Sequence, residues 1–157
     1  MAKACLIYPR DINLNFFPLG IGYIASYLAK NNHKVILLDL TKTDLHILQK
    51  LANNKPDIIG ISITTTQLQL AKTIIDYLKR TIPDVPIVAG GIHPSYFKNR
   101  FMHDYNVDYI IYGEGEITMK ELCDSIESGS KDLSRIKGLI YRNDAKIITS
   151  QPRPLIS

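Results

Sequence analysis

The chain has 157 residues, 45% of them hydrophobic and 22% charged, the composition of one globular domain with a real core; it excludes a disordered segment and a pair of full domains. The net charge of +4 comes from 19 Lys and Arg against 15 Asp and Glu. The basic residues are scattered, and "LKR" (78–80) and "KNR" (98–100) read as solvated faces, so no nucleic-acid partner is expected.

Short continuous apolar runs alternate with helical periodicity along the chain. "KACLIYP" (3–9) reads as a first strand buried on both faces. "PLGIGYIASYLAKNN" (18–32) reads as a helix, with Pro18 near its start, Ile21, Ile24, Ala25 and Leu28 on one face, and an Asn pair ending it. "KVILLDL" (34–40) is a second strand, and "TDLHILQKLANN" (43–54) a short helix presenting Leu45, Leu48, Leu51 and Ala52. "DIIGISIT" (57–64) and "QLQLAKTIIDYLKRTI" (67–82) are the third strand and helix. "VPIVAGG" (85–91) is the fourth strand, and "PSYFKNRFMHDY" after it shows no clean period. "VDYIIYG" (107–113) is the fifth strand and "EITMKELCDSIESG" (116–129) the last helix, preceded by acidic residues and closed by Gly129. "GLIYR" and "KIITS" flank Asn143, Asp144 and Ala145 as a hairpin.

This alternation predicts an α/β fold: a doubly wound five-stranded parallel sheet, Rossmann- or flavodoxin-like, in the order 2-1-3-4-5, with a C-terminal β-hairpin. Residues 1–150 are expected to form the domain. The segment 151–157, with two prolines, reads as a linker. No apolar run approaches the ~20 residues of a membrane span, and "MAKACLIYP" is a strand rather than a secretion signal. A cytoplasmic location, with no membrane partner, is expected. Cys5 and Cys123 fall in apolar patterns and read as small core residues. Without a Cys-x-x-Cys or Cys/His cluster, no metal site of the chain's own is expected.

Ligands of an open parallel sheet bind beyond the carboxyl ends of its strands, at the switch point. The strands here exit into "RDINLNFFPLG", "SITTTQ", "GGIHPS" and "YGEGE". Taken singly, each loop has a plain reading. Ser62 and Thr64 to Thr66 can cap the third helix, Gly113 and Gly115 can turn the chain, and Glu114 and Glu116 suit a helix start. His93 lacks a second metal ligand and reads as a polar loop residue. Together on one edge, the loops point to a bound cofactor or substrate. The dinucleotide fingerprint fails, because "GIG" (20–22) lies inside a helix about ten residues beyond the first strand, with Ser26 near the place of a third glycine. No Walker sequence or nucleophile elbow is present, and no catalytic residue is assigned.

"FPLGIGYIASYLAKNNHKVILLDL", "PDIIGISITTTQLQLAKTIIDYLKRTIPDVPIVAGGIHPS", "VDYIIYGEGEITMKELCDSI" and "LSRIKGLIYRNDAKIITSQPRPLI", in that order, resemble the N-terminal cobalamin (vitamin B12)-binding domain of radical S-adenosylmethionine enzymes. The group includes anaerobic magnesium-protoporphyrin IX monomethyl ester cyclase-like proteins and related methyltransferases. The resemblance implies a domain holding cobalamin across its strand ends, followed by a radical SAM barrel that carries S-adenosylmethionine and a 4Fe-4S cluster on a Cys-x-x-x-Cys-x-x-Cys motif. That motif does not occur here, so the resemblance implies an isolated domain of a longer enzyme or a stand-alone relative, not catalytic by itself. The Asp-x-His-x-x-Gly pattern that supplies a cobalt ligand in typical cobalamin domains is also missing: after Asp11 stand Asn13 in place of His and Phe16 in place of Gly. The resemblance therefore implies base-off cobalamin without a protein His on the metal.

By the same resemblance, Ser62, Ile63, Thr64, Thr65 and Thr66 hold the nucleotide tail. Gly90 and Gly91 admit it close to the strand ends, beside Ile92 and His93. Phe17, Pro18, Leu19 and Gly20 pack near the corrin, and Tyr112, Gly113, Glu114 and Gly115 close the far side. The alternative is a degenerate domain used for protein or substrate contacts. A flavin-nucleotide binder is a third reading, weakened by the missing phosphate cradle in the first loop.

Overall fold

The apolar runs become strands of one sheet in a computed structural model that describes residues 1–10 and 18–154. They are β1 (Lys3–Pro9), β2 (Lys34–Leu40), β3 (Ile58–Ser62), β4 (Ile87–Gly90), β5 (Tyr109–Ile111), β6 (Leu139–Asn143) and β7 (Lys146–Thr149), in the order β2-β1-β3-β4-β5-β6-β7. The first five are parallel and in the expected order. The hairpin differs from expectation, because it continues the sheet to seven strands, β6 pairing antiparallel with β5 as Tyr109 to Tyr141 and Ile111 to Leu139. Leu139 and Ile140 are fully buried, as in a central strand. β7, with exposed Lys146 and Thr149, forms the polar edge.

Helices cover both faces. On one face, α1 (Leu19–Lys30) buries Ile21 and Leu28, and α6 (Glu116–Ser128) buries Met119, Leu122 and Cys123. On the other, α2 (Gln49–Asn53), α3 (Leu68–Thr81), α4 (Ile92–Phe97) and α5 (Asn99–Asp104) pack around Ile74, Ile75, Leu78, Phe101 and Met102. The winding reverses between β1 and β3, which creates the switch point. The helix expected at 43–54 is instead a 3-10 turn, Lys42–Leu48, opened by the Thr41–Asp44 capping box and leading into the five-residue α2. The aperiodic stretch is two short helices broken at Lys98, whose φ is +45° and whose Nζ lies 4.8 Å from the Tyr112 ring centroid. Cys5 and Cys123 lie unpaired in opposite cores, and burial pushes both thiols up to about 12.

Because β6 and β7 each reverse direction, β7 runs the same way as β5, and residues 150–154 emerge at the carboxyl edge of the parallel strands. This segment is held to the body. Gly138 N–H donates to Gln151 O at 2.8 Å, and Arg153 Nε donates to Thr118 Oγ1 at 2.9 Å. The Arg153 guanidinium also pairs with the Glu121 carboxylate on α6.

Candidate functional site

Ser62 at the end of β3 and Gly90 at the end of β4 are register partners. Just beyond them the two loops cross. Ile63 N–H donates to Gly90 O at 2.8 Å, and His93 N–H donates to Ile63 O at 3.3 Å. Gly91 sits at the crossing with φ +97°, and a Cβ there would lie 2.8 Å from Ile63 O and 2.9 Å from Ile63 N. Only glycine permits this approach. Gly90 serves differently: a Cβ on it would meet only Ile111 O, at 3.8 Å, so its absence leaves a wall bare.

That wall belongs to a slot of about 280 Å³ between the sheet and the first turns of α1 and α6. Alternation along the strands turns Gly60 and Ser62, and Val88 and Gly90, to this face. Leu6 and Ile111 extend the wall, and Ile21, Ile24 and Met119 close it from the helices. Gly60 makes the floor, since a Cβ there would stand 2.9 Å from Leu6 Cδ2 and 3.5 Å from Met119 Cε. At Gly115, a Cβ would stand 2.9 Å from Ile24 Cδ1, so glycine lets the start of α6 close against α1. The polar side chains of the slot are Ser62, Glu114 and Glu116. Glu116 lies in the first turn of α6, where the helix dipole favours a carboxylate. The Ser62 hydroxyl is half-buried and has no protein partner among the described residues.

The threonine loop is largely occupied with itself. Thr64 caps the turn before α3, its N–H donating to Gln67 Oε1 at 2.9 Å. Thr64 Oγ1 lies 3.2 Å from Thr66 Oγ1, and Thr65 Oγ1 lies 3.0 Å from His93 Nδ1. His93 rests on Phe97, with ring centroids 4.4 Å apart, and burial pulls its pKa below the ordinary value. Gln67 is buried, and its Nε2 has no partner among the described residues.

Of the residues singled out from the sequence, Gly20, Ser62, Gly90, Gly91, Gly113, Glu114 and Gly115 converge on the slot. Thr64, Thr65, Thr66 and His93 belong to the loops beside it, and Ile63 acts through its backbone. Pro18 precedes α1, while Leu19 and Ile92 are strongly exposed at the starts of α1 and α4. Tyr112 turns to the opposite face, packs with the α3-side core and donates its hydroxyl to Ser150 O. Phe17, and with it Asp11, Asn13 and Phe16, lies outside the described residues. The apolar lining, Leu6, Val88, Ile111 and Met119, was not singled out. Its one sequence signal is Gly60, which interrupts a run of β-branched residues.

Among the described residues, the group with metal-ligand proximity is His33, Asp124 and Glu127. It joins the turn after α1 to the C-terminal half of α6, at the far end of the sheet from the slot. His33 Nδ1 accepts the Ala2 N–H and leaves Nε2 to donate to Asp124, which also pairs with Lys120. These bonds make it a structural tie.

A model of the B12 binding domain family matches residues 9–123. An uncharacterized methyltransferase of Pyrococcus horikoshii is 35% identical over 143 residues, which cover 88% of this chain and 31% of that protein. The anaerobic magnesium-protoporphyrin IX monomethyl ester cyclase of Synechocystis is 32% identical over 145 residues, covering 88% of this chain and 29% of the cyclase. The chain thus spans under a third of the length of these relatives. Among solved structures, the cobalamin-dependent S-adenosylmethionine radical enzyme OxsB, with aqua-cobalamin and S-adenosylmethionine bound, superposes with a TM-score of 0.84 and 26% identity, over 99% of this chain and 23% of OxsB. The radical S-adenosylmethionine methyltransferase TsrM from Kitasatospora setae, with cobalamin and a [4Fe-4S] cluster bound, superposes at 0.86 with 22% identity, over 99% of this chain and 30% of TsrM; this likeness shows the fold.

Proposed function

The chain belongs to the B12 binding domain family, and from that premise we propose that it holds cobalamin against the carboxyl edge of its sheet. The observation that carries the reading is the slot beneath Ser62 and Gly90, whose wall is bare at Gly90 and whose floor is Gly60 packed under Leu6 and Met119. At about 280 Å³ it falls just below the ~300–1,000 Å³ of whole-ligand sites. It suits one end of a long cofactor, the base of the nucleotide tail. The backbone of Gly90 and Gly91 would flank the tail, and the Ser62 hydroxyl would donate to it. The exposed Leu19, Gly20 and Ile92 would border the corrin. No residue here is proposed as a cobalt ligand or catalyst. The bound cofactor supplies the reactive cobalt, and the chain supplies position and exclusion of water.

The domain is proposed to serve a radical SAM enzyme of methyltransferase or oxidative cyclase type. The course of residues 150–154 to the ligand edge, anchored by Arg153, supports this, because a catalytic domain joined there would face the bound cofactor. The cobalamin-bound relative on this fold leaves the degenerate alternative without support. A cytoplasmic location belongs to the same proposal; no helix among the described residues is long and apolar enough to cross a membrane.

The test is to mix the purified chain with hydroxocobalamin, desalt, and record the visible spectrum. Near-stoichiometric retained colour is expected, and a fully colourless protein would refute the reading.

A further inference from the structure

Polar and apolar parts of the slot occupy different depths. Gly60 lies two residues below Ser62, and Val88 two below Gly90, a step of about 6–7 Å along a strand. At that depth the walls are Leu6, Gly60, Val88, Ile111 and Met119, whose side chains offer no donor and, as an acceptor, only the weak Met119 thioether. Their backbone polar groups are largely committed to the sheet ladder and to α6. Leu6, Val88 and Met119 are each only 2% exposed, so the floor is buried and apolar. Ser62, Glu114 and Glu116 stand at the level of the strand ends.

Resting on the cobalamin reading above, we propose that this slot selects among cobamides by their lower base, accepting a benzimidazole and rejecting a purine on an otherwise identical corrinoid. Gly60 and Met119 are the specificity-determining residues. A dimethylbenzimidazole presents hydrocarbon edges and one uncoordinated ring nitrogen, which the single Ser62 hydroxyl can satisfy. An adenine presents three ring nitrogens and an amine; the floor offers the nitrogens no donor and the amine only the weak Met119 thioether. Burying polar groups without partners is penalised far more steeply than a change of shape among apolar groups.

The test is a set of spectroscopic titrations with cobalamin, adeninylcobamide and cobinamide, which lacks the nucleotide tail. Cobalamin is expected to bind at least tenfold tighter than adeninylcobamide, and cobinamide no better than adeninylcobamide. Equal affinity for cobalamin and adeninylcobamide overturns the selectivity. Cobalamin binding no tighter than cobinamide places the tail outside the slot and overturns it too, while leaving corrinoid binding intact. Failure of all three to bind overturns the functional reading beneath it as well. Met119→Gln, which sets an amide at the floor, is expected to narrow the cobalamin preference several-fold. The isosteric Val88→Thr serves the same purpose if Met119→Gln fails to melt cooperatively. An unchanged preference in a folded variant overturns the assignment of the floor.

Discussion

The two adjacent glycines, Gly90 and Gly91, are expected to respond in opposite ways to the same added methyl. In Gly91→Ala, the backbone at φ +97° enters a region reserved for glycine, at a cost of about 1–3 kcal/mol. The new Cβ would stand 2.8 Å from Ile63 O, so the loops must part. Parting weakens the bonds from Ile63 N to Gly90 O and from His93 N to Ile63 O, each worth roughly 0.5–1.5 kcal/mol. A total near 3 kcal/mol corresponds to a Tm loss of about 6–12 °C in a domain of this size. Gly90→Ala meets no neighbour closer than 3.8 Å and has no left-handed backbone. Its stability should be unchanged or raised by up to ~1 kcal/mol through the unfolded state. Its methyl projects into the slot, however, and should weaken cobalamin binding tenfold or more, about 1.4 kcal/mol. Circular-dichroism melts and hydroxocobalamin titration of both variants separate the effects. If both melt like the wild type, or if Gly90→Ala binds normally, the division of roles is wrong.

Arg153→Ala removes the bonds to Thr118 and Glu121 and should cost about 1.5–3 kcal/mol, read as a lower Tm; an unchanged melt would mean that the 150–154 segment contributes nothing. Cys5 and Cys123, with thiols pushed to about 12, should ignore 5,5′-dithiobis(2-nitrobenzoate) at pH 8 until urea unfolds the chain, when two equivalents react. Their contribution to stability is whole below pH 9.0 and is lost as pH rises toward 12, because the unfolded thiols ionise first. His93 has the opposite sign: burial favours the neutral ring, so its contribution is present above pH 6.5 and lost as pH falls through the lowered folded value. The Tm difference between wild type and His93→Asn should therefore shrink from pH 7 to pH 5, and a constant difference would count against a half-buried neutral imidazole.

Strand positions were legible because strands covered on both faces show as unbroken apolar runs, such as "IIGIS" and "PIVAG". The place of the hairpin was not. Its turn chemistry is local, but the pairing of Leu139 with Ile111 is a tertiary choice. The continuous burial of Leu139 to Tyr141 is what a free two-stranded hairpin cannot sustain. The break between α4 and α5 was equally hidden, since a lysine at φ +45° carries no local signature of a turn.

The candidate site divides along the same line. Glycines and hydroxyls at strand ends could be assigned to one edge because parallel topology sends every such loop to the same side. The slot beneath them could not be seen, because an apolar residue facing a void has the same sequence pattern as one facing the core. Parity was the second obstacle. In an unbroken run such as "YIIYG", nothing says which alternate residues face which helix layer, and one step of register exchanges the faces. Ile111 therefore lines the slot while Tyr112, expected with Gly113 to Gly115 to close its far side, packs on the other face. Gly60 carries the missing information: in a strand covered on both faces, a residue without a side chain marks the face where something else fills the space, here the Leu6 and Met119 side chains and the end of the slot.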